Sequence, residues 1–136
     1  MSTQRQQPEV IAAALGASTI AIVGLSSNPM RPSYGVAEYL INAGFEVIPV
    51  NPREQEVLGL PCYASLAEVP KAIDTVDVFR ESSAVPDIAQ QAVAIGAKFL
   101  WLQLGVISDE GVGIAEAGGM QCVVDLCTKI EHQRLS

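Results

Sequence analysis

Short apolar runs alternate along this chain with segments whose apolar positions recur every three or four residues. The runs are Thr19–Val23, Phe45–Val50, Val76–Phe79, Lys98–Leu104 and Gln121–Val124. Most carry Val, Ile or Leu on consecutive positions, as strands buried on both faces of a parallel sheet do. Helix patterns closed by glycine lie between them. Ser33 is placed to cap a helix carrying Val36, Leu40 and Ile41 that stops at Gly44. Ser82 or Ser83 is placed to cap one carrying Val85, Ile88, Ala92 and Ile95 that stops at Gly96. Ser108, followed by Asp109 and Glu110, opens a third that ends near Gly118–Gly119. A short helical turn falls near Leu66–Val69, and a helix from Pro8 to Leu15 packs on the outside. This alternation predicts the α/β class: a doubly wound, Rossmann-like parallel sheet of five strands, covered on both faces. With right-handed crossovers the runs, counted from the N-terminus, take the order 3-2-1-4-5.

Length adds that residues 1–136 have room for a single domain. The polar lead, residues 1–7, is expected to be flexible. Hydrophobic residues make up 49% and charged residues 17%, enough apolar material for a substantial core. The net charge of −7 carries only 8 Lys and Arg, which excludes the broad basic surface that nucleic acid or an anionic membrane demands. No apolar run approaches the ~20 residues of a membrane span. Cys62, Cys122 and Cys127 form no CxxC pair, and unpaired thiols suit a reducing, cytoplasmic setting. Pairing of two copies is the base-rate expectation for a small globular protein.

In doubly wound sheets ligands bind beyond the carboxyl ends of the strands. The first such loop runs Gly24-Leu25-Ser26-Ser27-Asn28-Pro29-Met30-Arg31-Pro32-Ser33. A glycine directly after the strand permits a tight turn, so that the next amides and the helix start can face an anion. Ser26, Ser27 and Ser33 can add hydroxyl donors, and Arg31 can grip phosphate oxygens with two prongs. Ser26 and Pro29 replace the later glycines of a GxGxxG fingerprint. An ordinary turn rich in turn-formers is the competing account.

The second run ends Asn51-Pro52-Arg53, with no acid at the tip to hold the ribose of NAD. Asn51 can contact a ribose or adenine edge, Pro52 offers a flat apolar surface, and Arg53 favours a phosphorylated ribose; a solvent-facing Asn-Pro turn before Glu54 and Glu56 is the competing account. NADP and coenzyme A both supply one. After the third run, Phe79 can wall an adenine or belong to the core, and Arg80 can add a cation at the rim or pair at the surface with Glu81, with Ser82 just beyond. Arg31, Arg53 and Arg80 are three of five arginines, and all three follow strand ends. That clustering points to a small polyanion. The fourth run leaves Gln103 and Gly105 at the mouth, where an amide and a bare backbone can meet a ligand's arm. Trp101 reads as core. Cys127 and His132 sit at i and i+5, on different faces of a helix, with no third group to orient them. A pocket is present in this pattern, but no catalytic machinery.

These residues together resemble the stand-alone CoA-binding domain family of small prokaryotic proteins. The likeness runs from about Ala14 to Leu135. It rests on Gly24-x-Ser26-x-x-Pro29-x-Arg31-x-Ser33-Tyr34, Pro49-Val50-Asn51-Pro52, and Gly59 with Tyr63. It continues through Val76-Asp77-Val78-Phe79-Arg80, Lys98 with Trp101-x-Gln103-x-Gly105, and Cys127 with Glu131-His132. The family is similar to the N-terminal CoA-binding domain of the succinyl-CoA synthetase α subunit. The resemblance implies a CoA diphosphate at Gly24–Ser27 and adenosine near Asn51–Arg53 and Phe79–Ser82. It places the pantetheine arm past Gln103–Gly105. Leu126 departs from the pattern, since family members often carry a basic residue there. The synthetase's second domain, with its phosphorylated histidine, has no counterpart here, so its activity does not carry over. The function implied is binding of coenzyme A or an acyl-CoA by a small carrier or sensor. An NADP-binding enzyme or redox sensor, and the CoA-binding subunit of a split acyl-CoA ligase, are the alternatives.

Overall fold

The computed structural model of the chain describes residues 7–135. The lead expected to be flexible lies outside these residues except for Gln7, whose carbonyl accepts the Val10 and Ile11 amides. Helix α1 (Pro8–Gly16) precedes strand β1 (Thr19–Val23), helix α2 (Pro32–Asn42) and strand β2 (Glu46–Val50). A hairpin of β3 (Glu56–Val57) and β4 (Leu60–Pro61) follows, then a 3₁₀ turn at Leu66–Glu68. The remainder is β5 (Thr75–Val78), α3 (Val85–Ala94), β6 (Phe99–Leu102), α4 (Asp109–Ala117), β7 (Gln121–Val123) and α5 (Thr128–Leu135). The five apolar runs become β1, β2, β5, β6 and β7 of one parallel sheet.

Two helix starts differ from the expected serine caps. Arg31 is the N-cap residue of α2, with Pro32 in the first turn, and Ser33 lies buried inside the helix. A 3₁₀ turn over Ser82–Ala84 runs into α3, whose first turn holds Pro86, so neither Ser82 nor Ser83 caps it. A first-turn residue has no use for its N–H, and proline's fixed φ suits the helix, so proline marks both starts. Ser108 does cap α4, its Oγ accepting the Gly111 amide at 3.0 Å. The hairpin was not legible as strands. Leu58 and Gly59 both adopt positive φ, 53° and 76°, as a two-residue type I′ turn requires.

Strand order is corrected. The observed order is β2-β1-β5-β6-β7, so the runs lie 2-1-3-4-5 and not 3-2-1-4-5. Pro49 supplies the reason. In a parallel strand a residue's N–H and C=O point to the same neighbour. The Pro49 carbonyl faces outward, accepting the Tyr63 amide at 3.0 Å. Its missing N–H therefore faces outward too, where another full strand would need a donor. The Asn51 amide donates to the Tyr63 carbonyl at 2.8 Å, so the segment leaving the hairpin covers that end of the edge. The chain then crosses to the far side of β1 and pairs there as β5, with Asp77 opposite Ile22.

This order moves the point where crossovers diverge to the gap between β1 and β5. On one face α2 packs Val36 and Leu40 against Ile20, Ile22 and Val47. On the same face α1 lays Val10, Ile11, Ala14 and Leu15 over Phe99, Trp101 and Val123. On the other, α3 and α4 cover Val23, Val76, Val78, Leu100 and Leu102. Trp101 is core, as expected, and its Nε1 donates to the Leu126 carbonyl at 2.8 Å.

One polar cluster is sealed into the α1–α2 face. Asp77 accepts from Gln103 Nε2 at 2.6 Å and from the Thr128 hydroxyl at 3.1 Å, and Gln103 Nε2 also donates to Thr128 Oγ1 at 2.9 Å. Burial pushes the Asp77 carboxyl up to about 7, against the lowering effect of the two hydrogen bonds. The ring joins β5 and the end of β6 to the first residue of α5.

Candidate functional site

A cleft of about 930 Å³ opens beyond the carboxyl ends of β1, β2 and β5. Its floor is Gly24, at φ +90°, whose N–H donates to the Val50 carbonyl at 2.8 Å. A Cβ on Gly24 would collide with the Phe79 carbonyl oxygen and come within 3.1 Å of Arg80 Cδ. Only glycine lets the β1 and β5 ends close to this distance. Around that floor stand Ser26, Arg31 and Ser33 from the β1 loop, Asn51, Pro52 and Arg53 after β2, and Phe79 and Arg80 after β5. Phe79 packs on the α2 core and also lines the cleft.

The charge in the cleft is mixed. Arg31 and Arg53 are exposed, and among the described residues neither makes an ion pair within 4 Å. Arg80 is held by Glu81 through Nε at 3.0 Å and Nη2 at 3.3 Å. Those bonds hold the Glu81 carboxyl below its ordinary range, and Arg53 contributes further. Glu54, Glu81 and Asp87 also line the cleft. The Arg80–Glu81 pair is the competing account of Arg80, whereas Glu54 and Asp87 were not anticipated, because a charge arriving from another element leaves no periodic trace in sequence.

The loop amides are largely committed. The Ser26 amide donates to Ser33 Oγ at 3.1 Å, the Asn28 amide to Ser26 Oγ at 3.0 Å, and the Met30 amide to Asn28 Oδ1 at 2.9 Å. Ser27 gives both its N–H and its hydroxyl to Glu54. Asn51 spends its side chain tying loops together: Nδ2 donates to the Leu25 carbonyl at 3.0 Å, and Oδ1 accepts the Arg53 amide at 2.9 Å. What remains open to a ligand is guanidinium, the start of α2, and the faces of Pro52 and Phe79.

Four expected residues are not among those lining the cleft. Ser27 stands at its edge, exposed and tied to Glu54, and the other three lie elsewhere. Gln103 is not at the mouth but 3% exposed, within the Asp77 ring. Alternation along β6 puts residue 103 on the side of Phe99 and Trp101, toward α5. The Gly105 amide donates to Asp125 Oδ1 at 2.7 Å, and Ser82 Oγ accepts the Ile107 amide at 2.9 Å. Both serve the β6 loop. The cleft runs instead along α3, past Ala84, Ile88 and Gln91, and Ser65 also lines it. These were missed because the 3-2-1-4-5 order set the crevice between the first and fourth runs. At the far side of the fold His132 Nδ1 meets the Tyr39 hydroxyl at 2.7 Å, its ring edge-on to Tyr39 and Phe45. Cys127 is packed in the α2 core.

Residues 18–133 match the sequence profile described as the CoA binding domain. The chain belongs to the CoA-binding domain family. The matched span contains every residue of the cleft, from Val23 to Gln91. The chain is 39% identical over 113 residues to the uncharacterized protein YneT of Bacillus subtilis, covering 83% of this chain and 84% of that one. It is 27% identical over 100 residues to an ADP-forming acetate–CoA ligase of Archaeoglobus fulgidus. That match covers 72% of this chain and spans only 15% of the ligase. A solved structure, a hypothetical protein from Pyrococcus horikoshii, superposes with a TM-score of 0.94 at 34% identity, covering 99% of this chain and 96% of that one. At Leu126, where the family resemblance leads one to expect a basic side chain, this CoA-binding domain has a half-buried residue packed beside α1. Among the described residues no helix is long and apolar enough to cross a membrane.

Proposed function

We propose that this chain binds coenzyme A or an acyl-CoA in the cleft beyond β1, β2 and β5, as a small cytoplasmic binding or sensor protein without chemistry of its own. The observation that carries this reading is the convergence of Arg31, Arg53 and Arg80 on one cleft in a chain of net charge −7. Coenzyme A presents a pyrophosphate and a separate 3′-phosphate, and two guanidinium groups without ion-pair partners among the described residues stand on the β1 and β2 loops to receive them. In this reading Arg31 and the start of α2 take the diphosphate, Arg53 takes the 3′-phosphate, and Pro52 and Phe79 hold the adenine. The extension of the cleft along α3 gives the pantetheine arm its room. Ser82, Gln103 and Gly105 support the scaffold.

Titration calorimetry tests it with coenzyme A, dephospho-CoA and NADPH. Arg53→Ala is expected to lose about tenfold or more for coenzyme A and to erase the preference over dephospho-CoA. Arg31→Ala is expected to weaken both ligands alike. Tight NADPH binding with none for coenzyme A would remove the proposal. A second reading, the CoA-binding component of a two-chain ligase, rests on the acetate–CoA ligase relative. Co-purification of a larger acyl-transferring partner from native cells supports it, and recovery of the chain always alone counts against it.

A further inference from the structure

The Ser26, Asn28, Met30 and Arg31 amides of the β1 loop find partners within the loop or at the start of α2, whereas Ser27 turns to another loop. Its N–H and hydroxyl both reach across to one carboxylate oxygen of Glu54, at 2.9 and 2.8 Å, from a residue 27 positions away on the β2 loop. Ser27 is exposed, and Glu54 lines the cleft. An anionic oxygen seated on one N–H and one O–H donor is the arrangement a phosphoryl oxygen adopts at such a loop. The same donors cannot serve both anions. Each carries one proton, and two negative oxygens brought to those protons would lie within roughly 3–4 Å of each other in a partly enclosed cleft.

We propose that Glu54 is a resident competitor for the phosphate position at Ser27, so that a nucleotide phosphate gains the two Ser27 donors only as the Glu54 carboxylate gives them up. This inference rests on the reading of the cleft as a nucleotide-phosphate site and adds how ligands are selected there. The exchange needs only a side-chain rotation. The Glu54 backbone stays tied by its amide to the Asn51 carbonyl at 3.2 Å. The competitor sets a threshold. A doubly charged diphosphate can displace a carboxylate, whereas an uncharged nucleoside cannot.

The test uses the full chain with Glu54→Ala and Glu54→Gln, titrated with coenzyme A, dephospho-CoA, inorganic pyrophosphate and adenosine, with thermal midpoints recorded for each. Both variants are expected to bind the three diphosphate probes about tenfold more tightly than the parent, with adenosine unchanged. Unchanged or weaker pyrophosphate binding in Glu54→Gln overturns the proposal. Weakening in Glu54→Ala that Glu54→Gln restores to the parent value overturns it too, since Glu54 would then be a brace for the loop. The two readings fail separately. Coenzyme A binding by the parent without a gain in either variant defeats the competitor alone. Absent coenzyme A binding with a retained pyrophosphate gain defeats the coenzyme A assignment and leaves the competitor standing.

Discussion

Asp77→Asn is expected to make the protein more stable than the parent at pH 8 by a few kcal/mol, with the difference closing as pH falls toward 4. The carboxyl is enclosed between β1 and β6, and burial pushes it up to about 7 from an ordinary value of 3.8. In the unfolded chain the group ionises near its ordinary value. Between the two values the folded state therefore holds a proton that the unfolded state has released, and stability falls as pH rises through this window. Above pH 7 both states are ionised and the whole loss is present; near pH 4 it is absent. Asparagine copies the neutral acid: Oδ1 still accepts from Gln103, and Nδ2 donates where the acid proton would, the Thr128 hydroxyl, which donates to the ionised carboxylate, turning to accept. Urea unfolding from pH 4 to 9 reads the effect as a midpoint difference between parent and variant, and exposed carboxylates cancel in that difference. For a chain of this size the gain at pH 8 corresponds to roughly 10 °C in Tm. A parent that gains stability on the variant from pH 4 to pH 8 would show that the ionised ring is the favourable form.

The fold class was legible because burial on both faces forces Val, Ile and Leu onto consecutive positions, and that signal survives without knowledge of neighbours. Strand order was not read correctly, though Pro49 announced it. A residue without an N–H in the middle of β2 belongs at an edge, and setting a third strand beside it contradicted that. The arginines were found because a strand end can be located to a residue or so, and the loops after β1, β2 and β5 share one rim whichever order holds. Gln103 was misplaced because strand alternation carries it to the Trp101 side, under α5, whose first residue holds it. Glu54 was beyond sequence reasoning altogether. Its meeting with Ser27 depends on how the β2 loop folds back through Asn51, a trace that no local pattern encodes.

Gly24→Ala is expected to cost about 2–4 kcal/mol of stability and, in the protein that remains folded, to weaken coenzyme A by more than tenfold. Two effects add. At φ +90° any L side chain is strained. In addition the new methyl would strike the Phe79 carbonyl oxygen, a backbone atom that cannot rotate away. Gly105→Ala separates them: Gly105 has φ +82° with nothing within 4 Å of a built Cβ, so it carries the strain without the collision and should lose only about 1 kcal/mol. The excess in Gly24→Ala then measures the collision. Its relief has to open the β1–β5 junction and strain the 2.8 Å bond from the Phe79 amide to the Val23 carbonyl, since β1 is also held on its other side through the Gly24 amide and the Val50 carbonyl. The β5 end has to withdraw, taking Phe79 and Arg80 from the cleft wall while Arg31 and Arg53 stay in place. Coenzyme A titration at a temperature where both variants are folded reads this directly. Equal stability of the two alanine variants, with parental affinity in Gly24→Ala, would mean that the β1–β5 gap is wider than the contact at Gly24 implies and that the ligand does not depend on its closure.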